Sequence, residues 1–146
     1  MRVVRSKTIF LCNNPVDARA VFHGPSVEDA GPNETLRVVV KQLVLDPTAR
    51  SALPADLTHV QLRSNLAGTS FEPFHDQLHA STILALAYRP KTFFFEDGGS
   101  DMYASALSTR HLDRVELRLC DSQGTVLNTG GQFDVVLRVE VVSHVP

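Results

Sequence analysis

The sequence predicts an all-β fold, an antiparallel β-sandwich or jelly roll of about eight or nine strands with one short helix. Three observations predict it. Apolar residues recur at period two along most of the chain, and no stretch of helical length keeps an apolar stripe on one face. Clusters of Gly, Pro, Asn and Asp punctuate the alternating runs. Their spacing contains no fixed repeat, which argues against a propeller or a solenoid, and no linker or shift of composition divides the chain, so residues 1–146 read as one domain.

Each element follows from local pattern. Lys7 to Cys12 and Asp17 to His23 read as the first two strands, parted by Asn13-Asn14-Pro15, and Pro25 to Asn33 reads as a polar loop. In Thr35 to Leu45, Leu36, Val38 and Val40 share one parity while Leu43 and Leu45 take the other. A parity switch inside a strand marks a β-bulge, here at Lys41-Gln42. Pro47 to Ala55 reads as a helical turn. Val60 and Leu62 alternate with Gln61 and Arg63, and Ser81 to Tyr88 is apolar on both parities, which predicts burial on both faces. Lys91 to Glu96 carries Phe93, Phe94 and Phe95 as a strand, and Ser105 stands where it would cap a short helix over Ala106 to Arg110. Val115, Leu117 and Leu119 alternate with Glu116 and Arg118, as Leu137, Val139 and Val141 do with Arg138 and Glu140. Both patterns predict an aliphatic face to the core and a charged face to solvent. Asp121-Ser-Gln-Gly124 and Gly130-Gly131 supply the turns between those strands.

Composition narrows the function classes. The chain has 146 residues, 43% hydrophobic and 21% charged, which excludes disorder, collagen and coiled coil. With 14 Lys and Arg against 16 Asp and Glu, its net charge of -2 argues against a dedicated nucleic-acid binder. No segment approaches the roughly 18 apolar residues of a membrane span, and no signal peptide precedes the first strand. A reducing compartment is therefore expected, with Cys12 and Cys120 as two free, buried thiols; a disulfide between them is the alternative. Arg2, Arg5 and Lys7 precede the first acid, so residues 1–7 form a basic arm suited to nucleic acid or an acidic partner. The plainer reading of the same residues is a solvated terminus beside the first strand.

Motifs for chemistry are weak. His75-Asp-Gln-Leu-His79 has the i, i+4 spacing that holds zinc on a helix, but Asp stands where Glu would act as base, Pro73 is adjacent, and no third ligand has a recognisable spacing. A solvated loop is the simpler reading, and no HxH pair of the cupin kind occurs. Asn128-Thr-Gly-Gly131 and Glu96-Asp-Gly-Gly-Ser-Asp101 superficially suggest a phosphate cradle and a calcium loop. Neither continues into the required helix or ligand series, so both read as hairpin loops. With no GxSxG elbow, no catalytic residues or cofactor are assigned and the protein reads as a non-enzyme.

The surface offers more. Only 7% of residues are aromatic and none is Trp, yet Phe93, Phe94 and Phe95 are adjacent. Alternation sends Phe94 to the face opposite the other two, and the neighbouring strand sets Leu84, Leu86 and Tyr88 against Ile83, Ala85 and Ala87. Contiguous apolar area of this kind marks an interface unless the chain itself covers it, for which Tyr103 to His111 is the candidate. Phe93, Phe94, Phe95, Leu84, Leu86 and Tyr88 are the expected assembly contacts.

Read in order, the chain resembles the single jelly-roll capsid proteins, penton and small minor capsid proteins, of double-stranded DNA viruses. The resemblance runs from Thr8-Ile-Phe-Leu-Cys12 and Phe22-His-Gly-Pro-Ser26 through His59-Val-Gln-Leu-Arg-Ser-Asn-Leu66, Ser81-Thr-Ile-Leu-Ala-Leu-Ala87, the aromatic strand and the Tyr103 segment. It closes with Leu112-Asp-Arg-Val-Glu-Leu-Arg-Leu-Cys-Asp-Ser-Gln-Gly124 and Asp134-Val-Val-Leu-Arg-Val-Glu140. It is a likeness of layout rather than of a diagnostic motif. The resemblance implies a single jelly roll of about eight strands that associates side by side. It further implies a homo-oligomer, a pentamer at a vertex or a minor component bridging capsomers, with the major capsid protein and other virion proteins as partners, assembled in the host cytoplasm or nucleus. The short loops leave no spike or fibre domain, which favours a plain shell role. The alternative is a glycan- or ligand-binding β-sandwich using loop aromatics such as Phe71, Phe74 and Tyr103, and the third reading is a small metalloenzyme around His75 and His79.

Overall fold

A computed structural model describes residues 1–14, 19–66, 82–107 and 109–145, with side chains throughout except at 22–27 and 82. Its strands are β1 (Arg2–Cys12), β2 (Arg19–Asp29), β3 (Glu34–Leu45), β4 (His59–Ser64), β5 (Thr82–Tyr88), β6 (Phe95–Glu96), β7 (Ala104–Ala106), β8 (His111–Cys120) and β9 (Phe133–Ser143). One short helix, α1 (Pro47–Ser51), follows β3, and a 3-10 turn at Arg89–Lys91 follows β5. One sheet has the order β1-β9-β3-β6, with β7 also paired to β3, and the other has the order β2-β8-β4-β5. Every pairing is antiparallel. The fold is the all-β, sandwich-like arrangement that the period-two pattern predicts.

The inner faces explain why. Leu36, Val38 and Val40 of β3 and Leu137, Val139 and Val141 of β9 are buried in one cluster with Val60 and Leu62 of β4 and Val115, Leu117 and Leu119 of β8. Each such side chain contributes about 1.5–3 kcal/mol relative to exposure, and the alternation of period two aims them all inward. The bulge falls where the parity switches: Val40 pairs with Leu137 and Gln42 with Val136, leaving Lys41 as the extra residue. The Asp121 turn also forms as expected, with Gly124 at φ 82° and its N–H donating to the Asp121 carbonyl.

Five expectations change. Residues 2–7 are not a separate arm but the first half of β1, paired to β9 from Arg2 onward across one bulge. Strand β2 runs on to Asp29 through a register break between His23 and Glu28, so the polar loop is shorter than its Gly and Pro imply. Ala104–Ala106 is a strand on β3, not the start of a helix, because the open edge of β3 offers it hydrogen bonds that a five-residue helix would lack. The three Phe do not share a strand, since Thr92 and Phe93 have φ of 59° and 51° and only Phe95–Glu96 pairs with β3. Cys12 is exposed, because it lies on the outward parity of an edge strand, while Cys120 is buried; both are free thiols. No helix among the described residues is long and apolar enough to cross a membrane.

Candidate functional site

The expected assembly residues separate into core and surface. Phe93 is 3% exposed and Leu84 is equally buried, so both belong to the core. Phe95 is half-buried and meets the half-buried Tyr103 edge-on with centroids 4.8 Å apart, so Tyr103 packs over Phe95. Phe94 and Tyr88 remain exposed, at 39% and 45%, with Leu86 half-buried. Local geometry causes this division. Tyr88 precedes the 3-10 turn, its carbonyl accepts from Phe93 N–H at 2.8 Å, and the two left-handed residues turn the Phe93 ring inward beneath the Arg89 guanidinium, 4.9 Å from its centroid. Tyr88 and Phe94 therefore flank one corner of the sandwich, and the His59 ring lies 5.7 Å from Tyr88.

The charged outer faces are also more covered than alternation alone predicts. Glu140 is 3% exposed although it points away from the core. Its neighbours lie over it: Arg37 Nε donates to Oε1 at 2.6 Å from the adjoining strand, and Arg138 Nε donates to Oε2 at 2.8 Å from two residues along β9. On the other sheet Glu116, 5% exposed, accepts from Arg118 Nη2 at 2.7 Å and lies 2.8 Å from Arg114 Nη2 and 3.6 Å from Arg19 Nη1. Burial pushes the Glu116 carboxyl up, but the Arg118 hydrogen bond and the charges of Arg118, Arg114 and Arg19 outweigh it and hold it below the ordinary value. A carboxylate enclosed by guanidiniums in this way is a structural counter-ion and has no proton to give near neutral pH.

The acidic loop between β6 and β7 has the same character. Lys41, pushed out of register by the bulge, places its ammonium 2.5 Å from Asp97 Oδ2 and 3.2 Å from Asp101 Oδ1. Arg138 Nη2 reaches the other Asp101 oxygen at 2.8 Å. The Asp97 side chain is 1% exposed, and the Lys41 hydrogen bond, against the opposing effect of burial, brings its carboxyl down to about 2. Lysine thus occupies the place a calcium ion would need. Sequence inspection of Glu96-Asp-Gly-Gly-Ser-Asp101 missed this role for Lys41, although a lone Lys at a strand's parity switch is the signal that points to it. Among the described residues no group of three or more His, Cys, Asp or Glu is arranged to hold a metal. His75, His79, Phe71 and Phe74 lie outside the described residues.

Of the basic residues at the amino terminus, Arg5 is committed to its own fold. Its guanidinium donates to the Asp29 carbonyl at 2.9 Å and lies 3.5 Å from Glu28 and 3.8 Å from Glu34. Arg2 and Lys7 are exposed on β1. No family model matches the chain, and no curated protein matches it.

Proposed function

We propose that the protein is a structural virion component, a single jelly roll that serves as a penton or minor capsid protein and assembles through side-by-side contacts. The observation that carries this reading is the strand order. One sheet holds β1, β3, β6, β7 and β9 and the other β2, β4, β5 and β8, and the two orders, β1-β9-β3-β6 and β2-β8-β4-β5, support a reading as interleaved Greek keys. The sequence resemblance to double-stranded DNA virus capsid proteins supports it as well. Within the expected contact set, the exposed pair Tyr88 and Phe94 with Leu86 supplies the apolar surface for a neighbour, in place of the full Phe93 to Phe95 run.

Light scattering on the purified protein and imaging of particles assembled with it test this reading. A closed ring or a defined position in a shell is expected. Replacing Phe94 by Ser should weaken assembly while leaving the melting temperature nearly unchanged, since Phe94 stands outside the core. A strictly monomeric protein absent from virions overturns the reading.

A further inference from the structure

The described structure leaves one long strand edge open. Strand β1 pairs with β9 on one side and with no described strand on the other. From Arg5 to Cys12 its register with β9 is unbroken, so its outward N–H and C=O groups stand in one regular row. The opposite edge of the same sheet is divided into β6 and β7, of two and three residues, with the 97–103 loop between them. In the second sheet β2 has a broken register, and so does the pairing of β4 with the edge strand β5. Among the described residues only β1 offers a partner a long template, and long edges in soluble proteins are usually blunted by charge, bulge or cover.

The blunting on β1 is confined to its first half. The bulge lies between Val3 and Arg5, and the cations are Arg2, Arg5 and Lys7. Thr8 to Cys12 carries no charge, and Phe10 in its middle is 74% exposed on the outward face, beside the half-buried Val136 of β9. Ile9 and Leu11, the inward pair, already belong to the core.

We propose that a second copy of this chain docks on the β1 edge, antiparallel about a twofold axis at Phe10, so that the two five-stranded sheets continue into one. The charge pattern selects this occupant and this register. Pairing the uncharged stretch with itself puts Phe10 against Phe10 of the partner subunit, with Val136 outside each ring, and Ile9 against Leu11 of the partner subunit on the core side. Lys7 then faces Asn13 of the partner subunit, and no like charges meet. A register centred on Ile9 instead sets Phe10 against Thr8 of the partner subunit and parts the two phenyl rings. The dimer does not rest on the capsid reading, because its contact uses the flank away from Tyr88 and Phe94.

The register is directly testable, because it sets Thr8 opposite Cys12 of the partner subunit, with Cα atoms about 4.5–5.5 Å apart and within disulfide reach. Thr8→Cys should yield a covalent dimer under mild oxidant, read on non-reducing gels, while the wild type and Ser6→Cys, whose thiols fall out of register, should not. Light scattering of the wild type should show masses in multiples of two chains, and Phe10→Lys should halve the smallest of them without changing the circular dichroism, its melting temperature losing the dependence on protein concentration that a dimer shows. A monomeric wild type with no cross-link in Thr8→Cys overturns the proposal, and so does cross-linking of Ser6→Cys in place of Thr8→Cys. A five-chain ring insensitive to Phe10→Lys also overturns it while leaving the capsid reading in place.

Discussion

Where β1, β3, β5 and β8 end, the loops are tied by buried or half-buried groups that bond to backbone. Asn13 accepts from Phe133 N–H at 2.7 Å and donates to the Gly131 carbonyl at 3.1 Å, and Asp46 accepts from Ala49 N–H at 2.7 Å and from Gln132 N–H at 3.0 Å. Arg89, though exposed, also bonds to backbone here, donating to the Pro54 and Leu57 carbonyls. At the other end, where β1, β3 and β8 begin, each tie has a cation or imidazole that is at least half exposed: Arg5 with Glu28, Glu34 and the Asp29 carbonyl, and His111 with Asp29 and Asp113. One end replaces water around backbone groups that strands leave unpaired, so losing a tie leaves an unsatisfied buried group. At the other end water already reaches one partner of each pair and can replace the lost contact. Sensitivity to mutation should therefore differ sharply between the two ends.

The largest effect is expected at Gly131. A Cβ there would lie 2.4 Å from Ala49 N and 2.6 Å from Asp46 Oδ1, inside the cap that begins α1. Gly131→Ala should cost about 2–4 kcal/mol, from overpacking together with a weakened cap. Chemical denaturation checks this; a loss below that range would mean the loop moves aside cheaply and the end is not rigid. Asn13→Ala comes next, at about 1–3 kcal/mol, since it strands the Phe133 N–H in a buried site. If Asn13→Ser recovers most of that loss, the hydrogen bond rather than the side-chain volume is responsible.

The difference between the ends also explains what was legible in the sequence. Period two revealed the inward rows, and the parity switch located the bulge at Lys41, because both follow from which face of a strand meets the core. Gly131 was visible only as a turn glycine. Its real constraint is the approach of Asp46 and Ala49, at the start of α1, and no local pattern around residue 131 encodes a contact so distant in the chain. The same holds for Phe93 to Phe95: adjacency suggested a strand, whereas two left-handed residues fold Phe93 into the core and leave Phe94 outside. Glu116 and Glu140 alternated as solvent-facing charges should, but arginines on the same and adjoining strands bury them. Contacts within a strand pair were readable, and contacts made by long side chains across an outer face were not.

At the exposed end the expected effects are small. Arg5→Ala should cost less than about 1 kcal/mol, because its side chain is 50% exposed and water replaces its partners. A larger loss would show that the β1 terminus is held as firmly as the Asn13 end.

His111 should give the smallest effect and the only one tied to neutral pH. The Asp29 hydrogen bond first, then the Asp29 charge and that of Asp113, raise its folded value above the ordinary 6.5. A proton held more tightly in the folded protein contributes stability that is fully present below the unfolded value and fades as pH rises through the folded one. Replacing His111 by Gln should therefore lower the melting temperature slightly at about pH 5.5, and by less at about pH 8.5, where the wild-type imidazole has lost its charge. Thermal scans of both proteins at the two pH values decide it. A deficit that grows with pH would mean that His111 acts through a neutral hydrogen bond, and this end would then resemble the other one in kind.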